Sequence, residues 1–332
     1  FALFEDRIYG SFDTYNSDTE DLLLFVGVPA STGFTTALKN IGKVNNKGLE
    51  FNLTSRNLSG ELSWSTDFNY SSNKNEVIEL GGKNEPIYSK GSAGVRHITR
   101  VGDAVGSYFG WVVDGVYQSQ SEIDSAPTDK MAKAPRPGDF RFKDINGDGI
   151  VDSDDRTITG SYNPDYIWGI TNRLKYKNFD FSIFFQGVEG REILNLTARH
   201  MKNGEANFNS YDVLNNRWVS ESDPGDGKTP RADRSTGTHG NNNRPSSYQV
   251  EDGSYARLKN LTIGYTLPSS MSEKYAENIR LYFTAKNLAT WTDYIGFNPE
   301  VSLQSQNMLT QGEDYGAYPL SVSLVFGLNV TF

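Results

Sequence analysis

From Leu320 to Phe332 the chain alternates without a break. Leu320, Val322, Leu324, Phe326, Leu328, Val330 and Phe332 form one face, and Ser321, Ser323, Gly327, Asn329 and Thr331 form most of the other. Successive side chains of a strand point to opposite sides, so a period of two held this long commits the segment to a β-strand with one apolar face. That face has to be covered, either by a second sheet or by lipid. The choice between those two covers decides the fold.

The same period recurs upstream. Phe1–Phe4, the Glu5-Asp6 turn and Arg7–Tyr15 read as a hairpin; Leu22–Val28 and Thr36–Val44 read as strands. Leu49, Phe51 and Leu53 alternate with Glu50, Asn52 and Thr54. After a turn at Asn57-Leu58-Ser59-Gly60, Leu62, Trp64, Phe68 and Tyr70 share a face opposite Ser63, Ser65, Asp67 and Asn69. Phe109–Gln118 is expected to be a further strand. Tyr166, Trp168, Ile170 and Leu174 oppose Thr171, Arg173 and Lys175. A minimal turn at Lys177-Asn178 then leads to Phe179, Phe181, Ile183 and Phe185 against Asp180, Ser182 and Gln186. Glu189–Asn203 has some helical character. Tyr255–Leu267 and Ile279–Asn287 read as strands joined through Pro268–Asn278, a short helix. The reading supplies nine or ten strands and an all-β fold.

The connections separate a soluble sandwich from a membrane barrel. Leu58–Gly60 and Lys177-Asn178 are very short, whereas Asn73–Tyr108, Gln118–Tyr162, Gly187–Asp252 and Leu288–Tyr318 are long. A compact soluble domain rarely carries several long loops without structure of their own, whereas outer-membrane barrels pair short periplasmic turns with long extracellular loops. Charges in mid-strand on the polar faces (Asp67, Arg173, Lys286) fit an aqueous lumen, and Trp, Tyr and Phe near strand ends fit interfacial girdles. Backbone polar groups in lipid must all be paired, so the sheet has to close on itself. The expectation is a transmembrane antiparallel β-barrel in a bacterial outer membrane, with its long loops outside.

Composition agrees with this. Aromatic residues make up 13% of 332 residues, and 32 glycines argue for turns. Mean hydropathy is −0.55, and no apolar run is long enough for a membrane helix. A net charge of −9 offers no basic stripe for a phosphate backbone, so no nucleic-acid partner is expected. There is no Cys, hence no disulfide or thiolate metal site, and the three histidines (His97, His200, His239) show no ligand spacing. The chain opens at Phe1 without a signal-peptide pattern and reads as a piece of something longer.

One stretch makes a definite chemical demand. Asp144, Asn146, Asp148, Ile150, Asp152 and Asp155 stand at positions 1, 3, 5, 7, 9 and 12 of a calcium-type loop, with Gly149 at position 6 for the sharp turn. The spacing aims four carboxylates, an amide and the Ile150 carbonyl at one point, as a hard cation requires. Asp155 stands where that loop type has a bidentate Glu, which shortens its reach. Phe140–Lys143 alternates like a strand and Ser161-Tyr162-Asn163-Pro164 is turn chemistry, so flanking helices are not expected. The site is read as a structural Ca²⁺ clip; the competing reading is an acidic solvated turn without metal.

Several ordered segments resemble the SusC-like family of TonB-dependent outer-membrane transporters. They are Asn40–Glu50 (NIGKVNNKGLE), Asn69–Asn75 (NYSSNKN), Val101-Gly102-Asp103 and Gly110–Tyr117 (GWVVDGVY). Pro137-Gly138-Asp139 with the Asp144–Asp155 loop, Asn163-Pro164-Asp165, Phe184–Gly187 (FFQG), Tyr255–Asn260 (YARLKN) and the terminal aromatic strand complete the set. The resemblance implies a 22-stranded barrel of which residues 1–332 are the C-terminal part, with an upstream plug and TonB box lying outside this chain. It implies TonB-driven import of a nutrient, an oligosaccharide or a peptide, with a SusD-like surface lipoprotein as partner. Phe332 on its alternating strand looks like the signal read by barrel-assembly machinery.

Other signals weigh less. Trp291, Tyr294 and Phe297 suit stacking on a sugar or a partner lid, or simply anchoring of the last loop. Asn52, Asn57, Asn69, Asn195 and Asn260 begin Asn-X-Ser/Thr triplets of the kind alternating strands readily produce. Acidic pairs (Asp154-Asp155, Asp212 with Glu221) lack any accompanying nucleophile or base, so no enzyme is expected. Two alternatives to import stand: a secreted calcium-stabilised adhesin or carbohydrate-binding module, and a non-transporting barrel that serves as a docking platform.

Overall fold

The computed structural model describes residues 1–27, 31, 33–34, 36–40, 42–132, 134–202, 204, 209–233, 242–272, 275–303 and 307–332. Val28, Ile41, Asn203 and His239, named above within segments or as ligand candidates, lie outside them. So do parts of the 187–252 loop and of the 268–278 connection.

A nine-stranded sheet carries the fold: β1 (Ala2–Leu3), β2 (Ile8–Thr19), β3 (Lys43–Leu58), β4 (Leu62–Glu79), β5 (Tyr166–Tyr176), β6 (Phe179–Glu189), β7 (Tyr255–Thr266), β8 (Asn278–Thr292) and β9 (Ser323–Thr331). Strand order equals chain order, and each neighbouring pair is antiparallel. The connections alternate, short at one end of the sheet and long at the other. At the shortest, Lys177 adopts φ 51° so that Tyr176 and Phe179 face each other directly.

Register shows why the strands have two unlike faces. One row across six strands is Leu53, Phe68, Ile170, Phe185, Leu258 and Ala289. A second is Trp64, Leu174, Phe181, Ile263, Phe283 and Phe326. The row pointing the other way beside the first is Asn52, Asn69, Gly169, Gln186, Arg257 and Thr290. A bulge in β7 skips Lys259, so that Leu258 and Leu261 both keep to the apolar face, and β8 skips Asn287 and Leu288 opposite it. In the second row Phe326 is 82% and Ile263 43% exposed, whereas the first row is half-buried between neighbouring strands. A soluble sandwich would bury such a face at about 25 cal/mol for each Å² removed from water. Here it is left for lipid, as in a barrel.

Most of the buried core lies in the long connections, with a further cluster of Val44, Val77 and Leu80 where β3 and β4 meet them. Trp111, Val116, Phe140, Phe142 and Val151 form one cluster; Tyr108, Leu194 and Leu196 another; Ile193, Tyr294 and Val301 a third. A four-stranded sheet runs in the order Thr157–Gly160, Ser107–Gly110, Gly94–Thr99 and Ile87–Gly91. A three-stranded sheet joins Val250–Asp252, Glu192–Asn195 and Glu313–Asp314, tying the β6–β7 and β8–β9 connections together. The connections therefore fold into a cap, contrary to the expectation of structureless loops.

Three expectations are corrected. Phe109–Gln118 is not a strand of the main sheet: its residues fall in two short strands, Ser107–Gly110 and Val113–Val116, in different cap sheets. The two loops expected around it are one excursion from Leu80 to Asp165, because β4 pairs directly with β5. The strands expected at 22–28 and 36–44 form a separate ribbon, Leu23–Gly27 with Thr36–Asn40, and β3 begins afresh at Lys43. The helix expected at 189–203 is one turn, Ala198–Met201, preceded by a strand; that expected at 268–278 is present at Ser269–Ser272.

Candidate metal-binding loop and the polar sites of the cap and lumen

The Asp144–Asp155 loop leaves the strand Phe140–Phe142 and ends in a 3-10 turn, Ser153–Asp155, before the strand Thr157–Gly160. No helix pair flanks it, as the sequence implied. Gly147 and Gly149 sit at φ 75° and 81°, a conformation that costs glycine nothing and penalises a Cβ. The aspartates fold the loop by capping its own amides. Asp144 accepts from Gly147 N at 2.7 Å and Gly149 N at 2.8 Å, Asn146 from Asp148 N at 2.9 Å, and Asp148 from Ile150 N at 2.8 Å. Asp155 is fully buried and accepts from Ile145 N at 2.7 Å, Asn146 N at 3.4 Å and Asp152 N at 2.8 Å. Burial pushes its carboxyl up, but the three backbone donors and the adjacent Asp144 together hold it below the usual carboxylate range.

Among the described residues no three His, Cys, Asp or Glu side chains are gathered as a metal site. The donor set nevertheless suits a hard dication. Every predicted ligand is oxygen, Asp144 and Asp155 lie side by side, and each carboxylate oxygen that takes one N–H keeps a second lone pair. The loop is also moored. Ile150–Val151 pairs in parallel with Thr128–Asp129, and Trp111 Nε1 donates to Asp152 O at 2.7 Å.

Sequence reasoning missed the polar centres of the cap. His97 and Glu313 meet with both side chains fully buried, and Ser92 donates to the same carboxylate through N at 2.9 Å and Oγ at 2.6 Å. Burial raises the Glu313 pKa, but the donors from His97 and Ser92 outweigh it, so the group sits below its ordinary range. On the luminal side, Arg257 is 1% exposed and donates to Glu300 at 2.5 Å, to Thr290 at 2.8 Å and to Asn298 at 3.2 Å. Tyr255 and Gln186 also donate to Glu300, which pins the last loop against the barrel wall. Alternation reports only that Arg257 and Gln186 face inward; their shared partner Glu300 lies 43 and 114 residues away in sequence.

The three aromatics of the last connection divide. Tyr294 is buried and donates to Asp314 at 2.5 Å, with burial first and that carboxylate second pushing its pKa up. Trp291 and Phe297 are 54% and 71% exposed. Of the acidic residues weighed for catalysis, Asp155 is buried and has both carboxylate oxygens engaged by backbone amides, Oδ1 by two and Oδ2 by one. Asn195 is buried and caps Ala198 N, which leaves its side chain no room for a glycan.

No protein-family model matches the sequence. The chain is similar over its whole length to two proteins of Formosa agariphila: TonB-dependent receptor P3 at 37% identity and TonB-dependent receptor P26 at 36%. It also matches TonB-dependent receptor SusC of Bacteroides thetaiotaomicron at 26%. It spans about a third of the length of these relatives: 33%, 33% and 31%. Among solved structures, the RagAB peptide transporter superposes on the entire chain with a TM-score of 0.78 at 21% identity, over 34% of its own chain. A second state of that importer, titled open-open, gives the same score. At that identity the likeness speaks for the fold.

Proposed function

We propose, from the premise that this chain belongs to the SusC-like family of TonB-dependent receptors, that it is the C-terminal barrel portion of an outer-membrane nutrient importer. The observation carrying the proposal is the apolar face that runs across the sheet, with large side chains such as Trp64, Ile263, Leu281 and Phe326 exposed and a polar face behind it. In this reading the apolar rows meet lipid, the polar rows line an aqueous path, and the folded connections form an extracellular cap. No described helix is long and apolar enough to cross a membrane, and in a barrel strands do the crossing.

The energy for uptake would come from TonB, acting on a plug domain outside residues 1–332. A SusD-like lipoprotein would cover the cap, where Phe297 and Trp291 offer exposed aromatic surface. The Asp144–Asp155 loop would hold Ca²⁺ as a clip that neutralises its clustered carboxylates and stiffens the β4–β5 connection. Its donors are then structural ligands with no part in any reaction, and the chain as a whole is read as a non-enzyme.

Cells expressing the full-length receptor test this reading. Uptake of a nutrient that stops when TonB is deleted supports it. A receptor that extracts without detergent and migrates as an unfolded chain in SDS before heating overturns the membrane reading in favour of a secreted adhesin. A folded receptor in the outer membrane whose expression adds no uptake would leave a docking platform.

A further inference from the structure

β3 and β4 run on past the membrane band. A tilted barrel strand crosses in about 9–11 residues, which from the turn between them carries β3 back to Gly48 and β4 on to Ser72. The lipid side of β2, β3 and β4 can be followed through this limit row by row. Phe12, Phe51 and Tyr70 form one row, and Tyr70 stacks on Tyr166 at 5.3 Å, as in an interfacial aromatic girdle. Thr14, Leu49 and Ser72 form the next row, and Asn16, Lys47 and Lys74 the one beyond it. Four residues of rise at a barrel's tilt put that third row about 10 Å past the rings. A flexible lysine stem reaches the headgroup layer from there.

Two lysines stand directly opposite each other in this row, both exposed. Like charges in register across a strand pair are destabilising unless something answers them. Lys74 reaches Glu76 at 3.3 Å, whereas Lys47 has no ion pair among the described residues. Asn16 completes the row, and its orientation is fixed. Asn45 Nδ2 meets the Asp18 carboxylate at 2.7 Å and Asn16 at 2.6 Å. A carboxylate only accepts, so the atom Asn16 turns toward Asn45 is Oδ1, and Asn16 Nδ2 is left to donate.

The row thus offers three side-chain donors and no carboxylate. The nearby acids lie farther from the band and are engaged: Asp18 and Glu20 each meet Lys43 at 2.9 Å, and Glu76 meets Lys74. An anion arriving from the lipid side encounters the lysines first. We propose that Asn16, Lys47 and Lys74 bind the phosphate of a lipid headgroup in the leaflet at the cap end, with its acyl chains lying on Phe12, Phe51 and Tyr70. A soluble anion would use the donors alone, whereas the continuity of this row with the apolar face favours a lipid. The site goes beyond the import reading and needs only its membrane part.

Native mass spectrometry of full-length receptor, delipidated in neutral detergent, tests the site with diphosphoryl lipid A, its dephosphorylated form and inorganic phosphate. The phosphorylated lipid should be retained, and the dephosphorylated form held about tenfold more weakly or less. Lys47→Ser and Lys74→Ser should each weaken retention about fivefold, as for one basic residue at an anionic membrane surface. Lys47→Arg should preserve it, and Glu76→Gln, which frees Lys74, should strengthen it. Lys177→Ser, at the opposite end of the sheet beside Glu61, should change nothing. Heat-modifiable gel mobility confirms that each variant folds. Equal retention of the two lipid A forms overturns the phosphate site, and so does retention by both serine variants equal to the parent's. Inorganic phosphate that displaces lipid A at equal concentration overturns the lipid in favour of a soluble anion. Each of these results leaves the import reading intact, since TonB-dependent uptake tests that separately.

Discussion

His97 Nε2 lies 3.0 Å from Glu313 Oε1, with neither side chain exposed to solvent, and Nδ1 of the same ring lies 3.1 Å from Gly106 O. The contact joins the β4–β5 excursion to the β8–β9 connection across more than two hundred residues of chain. Glu313→Ala would leave His97 buried without that partner. An unsatisfied buried polar group costs about 1–3 kcal/mol. Hydrogen exchange should therefore show the amides of Gly94–Thr99 losing at least tenfold protection, while the barrel's resistance to SDS stays unchanged. Equal loss in strands β5 and β6 would mean that cap and barrel unfold as one unit.

Acid should loosen the cap before the barrel. Glu313 and Asp155 both have pKa values held below their ordinary carboxylate range by hydrogen-bond donors that outweigh burial. A group depressed in the folded state contributes stability that is complete above its unfolded pKa, near 4 to 4.5. That contribution falls away as pH drops through the lower folded value. Cap protection should be flat from neutral pH to about 5 and decline below about 4. A decline setting in between pH 7 and 6 would point to a histidine instead.

What the sequence disclosed follows where lipid lies. The β5–β6 hairpin is legible from Tyr166 through its turn, because an apolar face opposite a polar one persists to a two-residue turn, but its second strand runs on to Glu189, past the Gln186 where the alternation stops. β4 was ended at Asn73 although it runs to Glu79. Ser71, Ser72, Asn73, Lys74 and Asn75 are polar on both faces, so periodicity vanishes while pairing to β3 continues, Asn46 against Asn75. β8 likewise continues past Asn287, which takes φ 54° at the bulge. Cap strands of two to six residues are too short to display a sustained period. The spacing of Asp144–Asp155 was legible because the backbone of a local loop fixes it. The meeting of His97 with Glu313, or of Arg257 with Glu300, depends on how distant connections fold together.

Calcium should act on the cap alone. Binding to full-length receptor should be measurable by calorimetry, with a dissociation constant of about 10⁻⁴ to 10⁻³ M if the loop behaves as extracellular modules do. Asp144→Ala should abolish it. Chelation should increase proteolytic cutting within the β4–β5 excursion without lowering the temperature at which the barrel yields to SDS. Absence of heat of binding at millimolar Ca²⁺ would reduce the loop to a self-capped acidic turn.

Ile170 and Thr171 are neighbours in β5 that face opposite ways, and a charge placed on each separates the two environments. Ile170 stands in the row Leu53, Phe68, Ile170, Phe185 and Leu258, all apolar and half-buried. Thr171 faces Asp67, which takes a hydrogen bond from Thr54 at 2.8 Å and pairs with Arg173. Arginine on the lipid face near the bilayer midplane costs about 2–4 kcal/mol, whereas the lumen tolerates it. Ile170→Arg should therefore lower the heat resistance and yield of folded receptor in lipid vesicles. Thr171→Arg, one residue along and beside a carboxylate, should fold as well as the parent. If the two variants behaved alike in vesicles, the assignment of faces, and with it the barrel wall, would have to be abandoned.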